Sequence, residues 1–323
     1  MEGPQKPKFY NAEAIGAPGT PEKLRSPERF KASMSFDFVF GLKDGKRHPY
    51  CIEFNGDDSG IGGAQKVPDL DPTIRIMAGI RDHRDIYGLT KNRKAVGILN
   101  DIASGDFSVS AINKKPLVDF LLNEYKRKIK LLPNAISNEK WLQTIASNKV
   151  IQGHFIPEAN RPRELTREDE QHISSTGYWV VKPTYGLAGR GIKVFTNEEL
   201  EQVLAENPKI WTEYVIQEYI ESTGAAAAGE DKADHAASLR LLTDFRYLEN
   251  DEIDIVYSFA YQRVGKEPIN VTSDGASRET STIINLTTGA EAHKATKEET
   301  DAALVVAKDI IKNLAGFHEL ASY

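Results

Sequence analysis

Apolar and polar residues alternate with period two over Ser35 to Phe40, placing Phe36, Phe38 and Phe40 on one face of a predicted strand. Lys43-Asp44-Gly45-Lys46 reads as a tight turn, and Tyr50 to Asn55 as the returning strand of a hairpin. Strict alternation would put Cys51, Glu53 and Asn55 on one face, and Asp37 opposite its phenylalanines, so that these polar groups converge. Further along, Tyr178 to Val181 and Ile192 to Phe195 predict two strands, and Ile210 to Ile220 a strand or pair of strands. Leu239 to Tyr247, Ile253 to Val264 and Ser281 to Leu286 predict three more. Helical spacing marks Pro116 to Ile129, Glu139 to Ala146 and Thr296 to Leu314, the last through Ala303, Ala307, Ile310 and Leu314. Ser222 to Ala237 is rich in Ala and Gly and fits either a mobile loop or a short helix.

The loop between the strands at 178–181 and 192–195 carries the first chemical signal. Gly186, Gly189 and Gly191 allow a tight backbone that can approach an anion, and Lys182 supplies positive charge beside them. A P-loop or a Rossmann turn would lead from strand into helix, whereas this loop leads back into a strand. The closer analogy is the glycine-rich flap that covers ATP in kinase-like sites.

Composition narrows the classes. A chain of 323 residues with 40% hydrophobic content can bury a substantial core in two or three subdomains. A net charge of −6 argues against a broad nucleic-acid footprint, and the basic run Lys126, Arg127, Lys128, Lys130 reads as a solvated helix face. The N-terminal residues lack a leader pattern and no run is long enough for a membrane span, so neither secretion nor a membrane partner is expected. Cys51 is the single cysteine, which excludes an internal disulfide and fits a reducing cytoplasm. The histidines show no zinc-ligand spacing.

Taken in order, Asn148-Lys149, Lys182 with its glycine loop, Gln217-Glu218-Tyr219-Ile220, Asp244-Phe245-Arg246 and Arg263 resemble the ATP-grasp superfamily. The hairpin with Asp37, Glu53 and Asn55 has the form that closes such chains, but here it stands near the N-terminus. The pattern therefore resembles a circular permutation, as in eukaryotic glutathione synthetases, to which the stretch from Ile52 to Ala64 is similar. The resemblance implies an α+β fold in which two α+β subdomains grip ATP, with a permuted metal-ligand hairpin and an additional α/β or helical substrate domain. The implied division is an arm over 1–33, hairpin and Gly-rich loop over 34–66, a substrate domain over 67–147, and ATP-grasp subdomains over 148–215 and 216–323.

By the same resemblance, Lys149, Lys182, Gly186, Gly189 and Gly191 would hold the phosphates of ATP, and Gln217, Glu218, Tyr219 and Ile220 would meet adenine. Asp37, Glu53 and Asn55 would bind Mg²⁺, which prefers oxygen ligands shared with phosphate. Arg263 and Arg246 would stabilise charge at the reaction centre. The implied activity is an ATP-dependent ligase joining a small-molecule carboxylate to an amine through an acyl phosphate; apart from the resemblance, the 222–237 stretch, if a mobile loop, could close over the site to exclude water. A small-molecule kinase and a non-catalytic nucleotide-binding regulatory protein are the alternatives, and homo-oligomerisation stays open.

Overall fold

The alternation around the phenylalanines runs further than a simple hairpin requires. In the computed structural model, which describes residues 28–56, 63, 66–67, 140–168, 177–185, 190–222, 232, 234–270, 275–284 and 290–321, strand β1 spans Glu28–Lys43. It therefore begins inside the segment read as an arm, because Ala32 and Met34 continue the buried face of Phe36, Phe38 and Phe40. The turn has positive φ at both Asp44 (51°) and Gly45 (72°), the mirror-image turn whose twist matches that of paired strands. It leads into β2, Lys46–Asn55.

Helices α1 (Lys140–Ser147) and α2 (Lys149–Gly153) follow, then β3 (Tyr178–Pro183) and β4 (Lys193–Thr196). Next come α3 (Asn197–Glu206), α4 (Ile210–Glu213) and β5 (Tyr214–Glu218). The last third holds β6 (His235–Leu248), β7 (Ile253–Pro268), α5 (Gly275–Thr282), β8 (Glu291–Lys294) and α6 (Lys297–Ala321). The fold of the described residues is mixed α+β, and every neighbouring pair of strands is antiparallel.

Five strands form one sheet in the order β2-β1-β6-β7-β8, and three form another in the order β4-β3-β5. The N-terminal hairpin is thus built into the sheet of the last third, with β1 between β2 and β6. One face of this sheet carries Phe36, Phe54, Leu241 and Ala260, and α6 covers it with Ala303, Ala307, Ile310 and Leu314 at helical spacing. Burying each large apolar side chain there contributes roughly 1.5–3 kcal/mol. Thr296 and Glu299 form a reciprocal cap at the start of α6, the Glu299 amide donating to Thr296 Oγ1 and the Thr296 amide to the Glu299 carboxylate. The smaller sheet packs Trp179, Val181 and Ile216 against Leu200 and Leu204 of α3.

Several elements differ from the sequence reading. Ile210–Glu213 opens as a short helix, with Thr212 Oγ1 bonded back to the Lys209 carbonyl, so only Tyr214 onward is strand. Ser281 and Thr282 end α5 rather than open a strand, because both hydroxyls donate to the Arg278 carbonyl one turn earlier. Ala236 and Ala237 belong to β6, while 223–231 lie outside the described residues, as do the predicted helix at 116–129 and nearly all of 67–139. The expected division at 215/216 falls within β5.

Candidate functional site

Opposite the α6-covered face, the register lines up Glu53, Asp37, Arg240 and Tyr261 across β2, β1, β6 and β7. Asn55 and Ser35 form the next rung on the same face. The row depends on a bulge in β2. Asp37 pairs with Glu53 but Phe38 pairs with Cys51, leaving Ile52 as the extra residue. That extra residue turns Cys51 to the core, away from Glu53 and Asn55, which corrects the expectation that all three share a face. Burial, with Asp37 nearby, pushes the Cys51 thiol well above its usual range.

Asp37 is nearly enclosed. Arg240 donates to its two carboxylate oxygens through Nε and Nη2 at 2.6 Å each, and Arg263 Nη2 lies 3.0 Å from Oδ1. Burial alone would raise the Asp37 pKa, but the two guanidinium groups outweigh it and lower it from 3.8 to about 2. Arg263 is held again by Nε donating to Ser238 Oγ at 3.0 Å. Arg240 follows from no expectation in the sequence, although a lone Arg inside Ser238-Leu239-Arg240-Leu241-Leu242 marks the polar face of an otherwise apolar strand.

Lys182 reaches the row from the other sheet. Its buried ammonium donates to Gln217 Oε1 at 2.9 Å and to the Ile52 carbonyl at 3.4 Å, and Gln217 Nε2 donates in turn to Glu164. Burial lowers the Lys182 pKa, Glu53 opposes that shift, and Lys149 adds to it as a nearby like charge. The Lys149 amide bonds to the Thr184 carbonyl at 3.1 Å, so α2 docks beside the end of β3. Four cations, Arg240, Arg263, Lys182 and Lys149, thus gather with the carboxylates of Asp37, Glu53 and Glu164.

Four residues along β1 from Asp37, a second contact with the smaller sheet's side depends on a glycine. A Cβ on Gly41 would stand 2.5 Å from Ile220 Cγ2, so β1 can lie against the end of the smaller sheet only without a side chain there. At the base of the loop, Gly191 has φ +74°, and a Cβ would meet Pro183 Cγ at 3.0 Å. Gly186 and Gly189 lie outside the described residues.

The structure does not bring every expected residue to the cluster. Arg246 stands six positions beyond Arg240 on β6, about 20 Å along the strand, and pairs with Asp254. At Gln217 to Ile220 the Glu218 amide donates to the Arg163 carbonyl at 2.8 Å and the Tyr219 amide to the Tyr178 carbonyl at 3.0 Å. Those two amides are therefore engaged within the protein. The Glu218 carboxyl is raised by burial, with Arg163 opposing.

The groups fit a phosphate and Mg²⁺ unequally. Thr184 Oγ1 is buried and has no hydrogen-bond partner among the described residues, two positions from Lys182 and next to the docking point of Lys149. An orphaned hydroxyl beside two lysines suits a phosphoryl oxygen. The trio Asp37, Glu53 and Asn55 does not fit Mg²⁺ as a set. A carboxylate offers roughly four lone-pair positions, and the two guanidinium groups on Asp37 occupy three of them and repel a further cation. Among the described residues no group of three or more His, Cys, Asp or Glu side chains is placed to hold a metal ion, and no helix is long and apolar enough to cross a membrane.

No family model and no curated protein matches the chain. Among solved structures it is similar to a glutathione synthetase-like effector of Globodera pallida in the apo form. The identity is 11%, over 72% of this chain and 73% of that one, with a TM-score of 0.39. At that score neither fold nor function transfers.

Proposed function

We propose that the chain is an ATP-dependent carboxylate-amine ligase of permuted ATP-grasp type. The observation that carries this reading is the meeting of Lys182, from the smaller sheet, with the row Glu53, Asp37, Arg240 from the larger one. These residues come from three distant parts of the sequence, and a buried charge cluster of this size costs desolvation that a functional site, more than stability, accounts for. ATP would supply the phosphoryl group that activates a carboxylate. Lys182, Lys149 and the Thr184 hydroxyl would hold phosphoryl oxygens, with Gln217 fixing the Lys182 ammonium. Arg263 would steady the oxyanion that forms as an amine attacks the activated carbon. The glycine loop would lie over the phosphates, residues 34–66 would belong to the nucleotide site, and 67–147 would choose the substrates.

A second reading draws on a different observation. Asp37 is committed to arginines and the amides of Glu218 and Tyr219 to carbonyl groups, which suits a protein that binds an anionic ligand without turnover. Mass-resolved product analysis with ATP, Mg²⁺, pooled amino acids and small carboxylic acids separates the two, with Lys182→Met as control. A condensed product with ADP and free phosphate supports the ligase, and a stable phosphorylated product would make the chain a kinase. Nucleotide binding without any Lys182-dependent product would sink the ligase and leave the binding protein.

A further inference from the structure

We propose that Asp37 and Arg240 are positioning residues: Arg240 locks the Asp37 carboxylate, Asp37 holds Arg263 as a preset guanidinium for an oxyanion of the ligand, and Asp37 does not ligate a metal. The inference rests on the anion-site part of the reading above and departs from its metal part.

The geometry carries it. Arg240 spends its Nε and Nη2 on the two oxygens of one carboxylate, the fork arrangement that fixes a guanidinium plane. Arg263 is tied at Nε by Ser238 and at Nη2 by Asp37. Nε and Nη2 share one edge of its guanidinium, so Nη1 points away from Ser238 and Asp37 and remains for a ligand. A flexible arginine would have to be ordered when the ligand arrives, whereas one clamped by a buried carboxylate has already lost that freedom. Asp37, Arg240, Ser238 and Arg263 lie on three adjacent strands of one sheet, so their spacing is set by the ladder. A metal ligand needs an accessible lone pair facing the cation. Here the nearest neighbours of the carboxylate are two positive charges.

The test uses the full chain with two probes, inorganic phosphate by calorimetry and Mn²⁺ by paramagnetic resonance of the free ion. Asp37→Asn and Arg263→Gln are each expected to weaken phosphate binding about tenfold, and the double variant to be no weaker than Arg263→Gln alone, since both act through one guanidinium. Mn²⁺ affinity in Asp37→Asn is expected to stay within twofold of the parent. Arg240→Lys, which leaves the carboxylate in place, covers the case in which Asp37→Asn does not fold. It is expected to weaken phosphate binding about fivefold with Mn²⁺ unchanged. A fall in Mn²⁺ affinity of tenfold or more in Asp37→Asn, or a clear tightening in Arg240→Lys, would overturn the assignment, because either makes Asp37 a metal ligand. Additive losses in the double variant would overturn the clamp. Phosphate binding that depends on Lys182 but on neither arginine would remove the preset guanidinium while leaving the nucleotide reading intact, and no phosphate binding at all would remove both.

Discussion

Replacing Asp37 by Asn should make stability less dependent on acid, and the size of the change follows from its two arginine partners. The folded-state pKa of Asp37 is lowered from 3.8 to about 2, so ionised Asp37 stabilises the fold. For a depressed carboxylate this contribution is complete above the unfolded value of 3.8 and is lost as pH falls through the folded value near 2. The full contribution is about 2 kcal/mol, and about half of it is gone by pH 3. At neutral pH Asp37→Asn leaves two buried guanidinium groups without their counter-charge, a loss of roughly 3–5 kcal/mol. Urea unfolding of the parent and the variant at pH 6 and pH 3 isolates Asp37 from the other acids, which titrate in both proteins. The expected result is a stability gap that narrows by about 1 kcal/mol at pH 3. A gap that stays constant, or widens, would show that the carboxylate is not held ionised by Arg240 and Arg263.

Two further outcomes follow from the packing around the site. Gly41→Ala should cost about 1–3 kcal/mol in urea unfolding, because its Cβ would overlap Ile220, and Ile220→Ala in the same chain should recover part of the loss. Cys51 should resist iodoacetamide at pH 8 in the native protein and gain one carbamidomethyl group by mass only after denaturation, since its thiol is buried and its pKa raised.

What the sequence reveals here is what neighbouring residues determine among themselves. The turn at Asp44-Gly45 and the cap at Thr296 and Glu299 are local chemistry, and Lys182 announces itself by its place beside Pro183 and the glycines. The bulge at Ile52 is invisible to a period-two reading, because an extra residue exists only relative to a partner strand. It reversed the face of Cys51 while leaving Glu53 and Asn55 where the alternation put them. Arg240 and Arg246 look alike in sequence, since each follows an apolar residue on β6. Only the register with β1 shows that Arg240 meets Asp37 and Arg246 lies opposite Lys31. Asp37 itself illustrates the limit of residue type as a guide. An acid facing Glu53 reads as half of a cation site until the third and fourth strands of the sheet each bring in an arginine.

The place of β1 between β2 and β6 also dictates when this protein can fold. Asp37 and Arg240 are 203 positions apart, so one edge of β1 has no partner until most of the chain has been synthesised. At roughly 5–20 residues per second, the hairpin emerges roughly 10–40 s ahead of β6. During that interval a long strand with a row of phenylalanines offers bare backbone amides and carbonyls to any other nascent chain. Slowing translation lengthens the exposure, whereas a holdase that recognises extended apolar segments shields it. The yield of native protein should therefore be governed more by that wait than by the stability of the finished sheet.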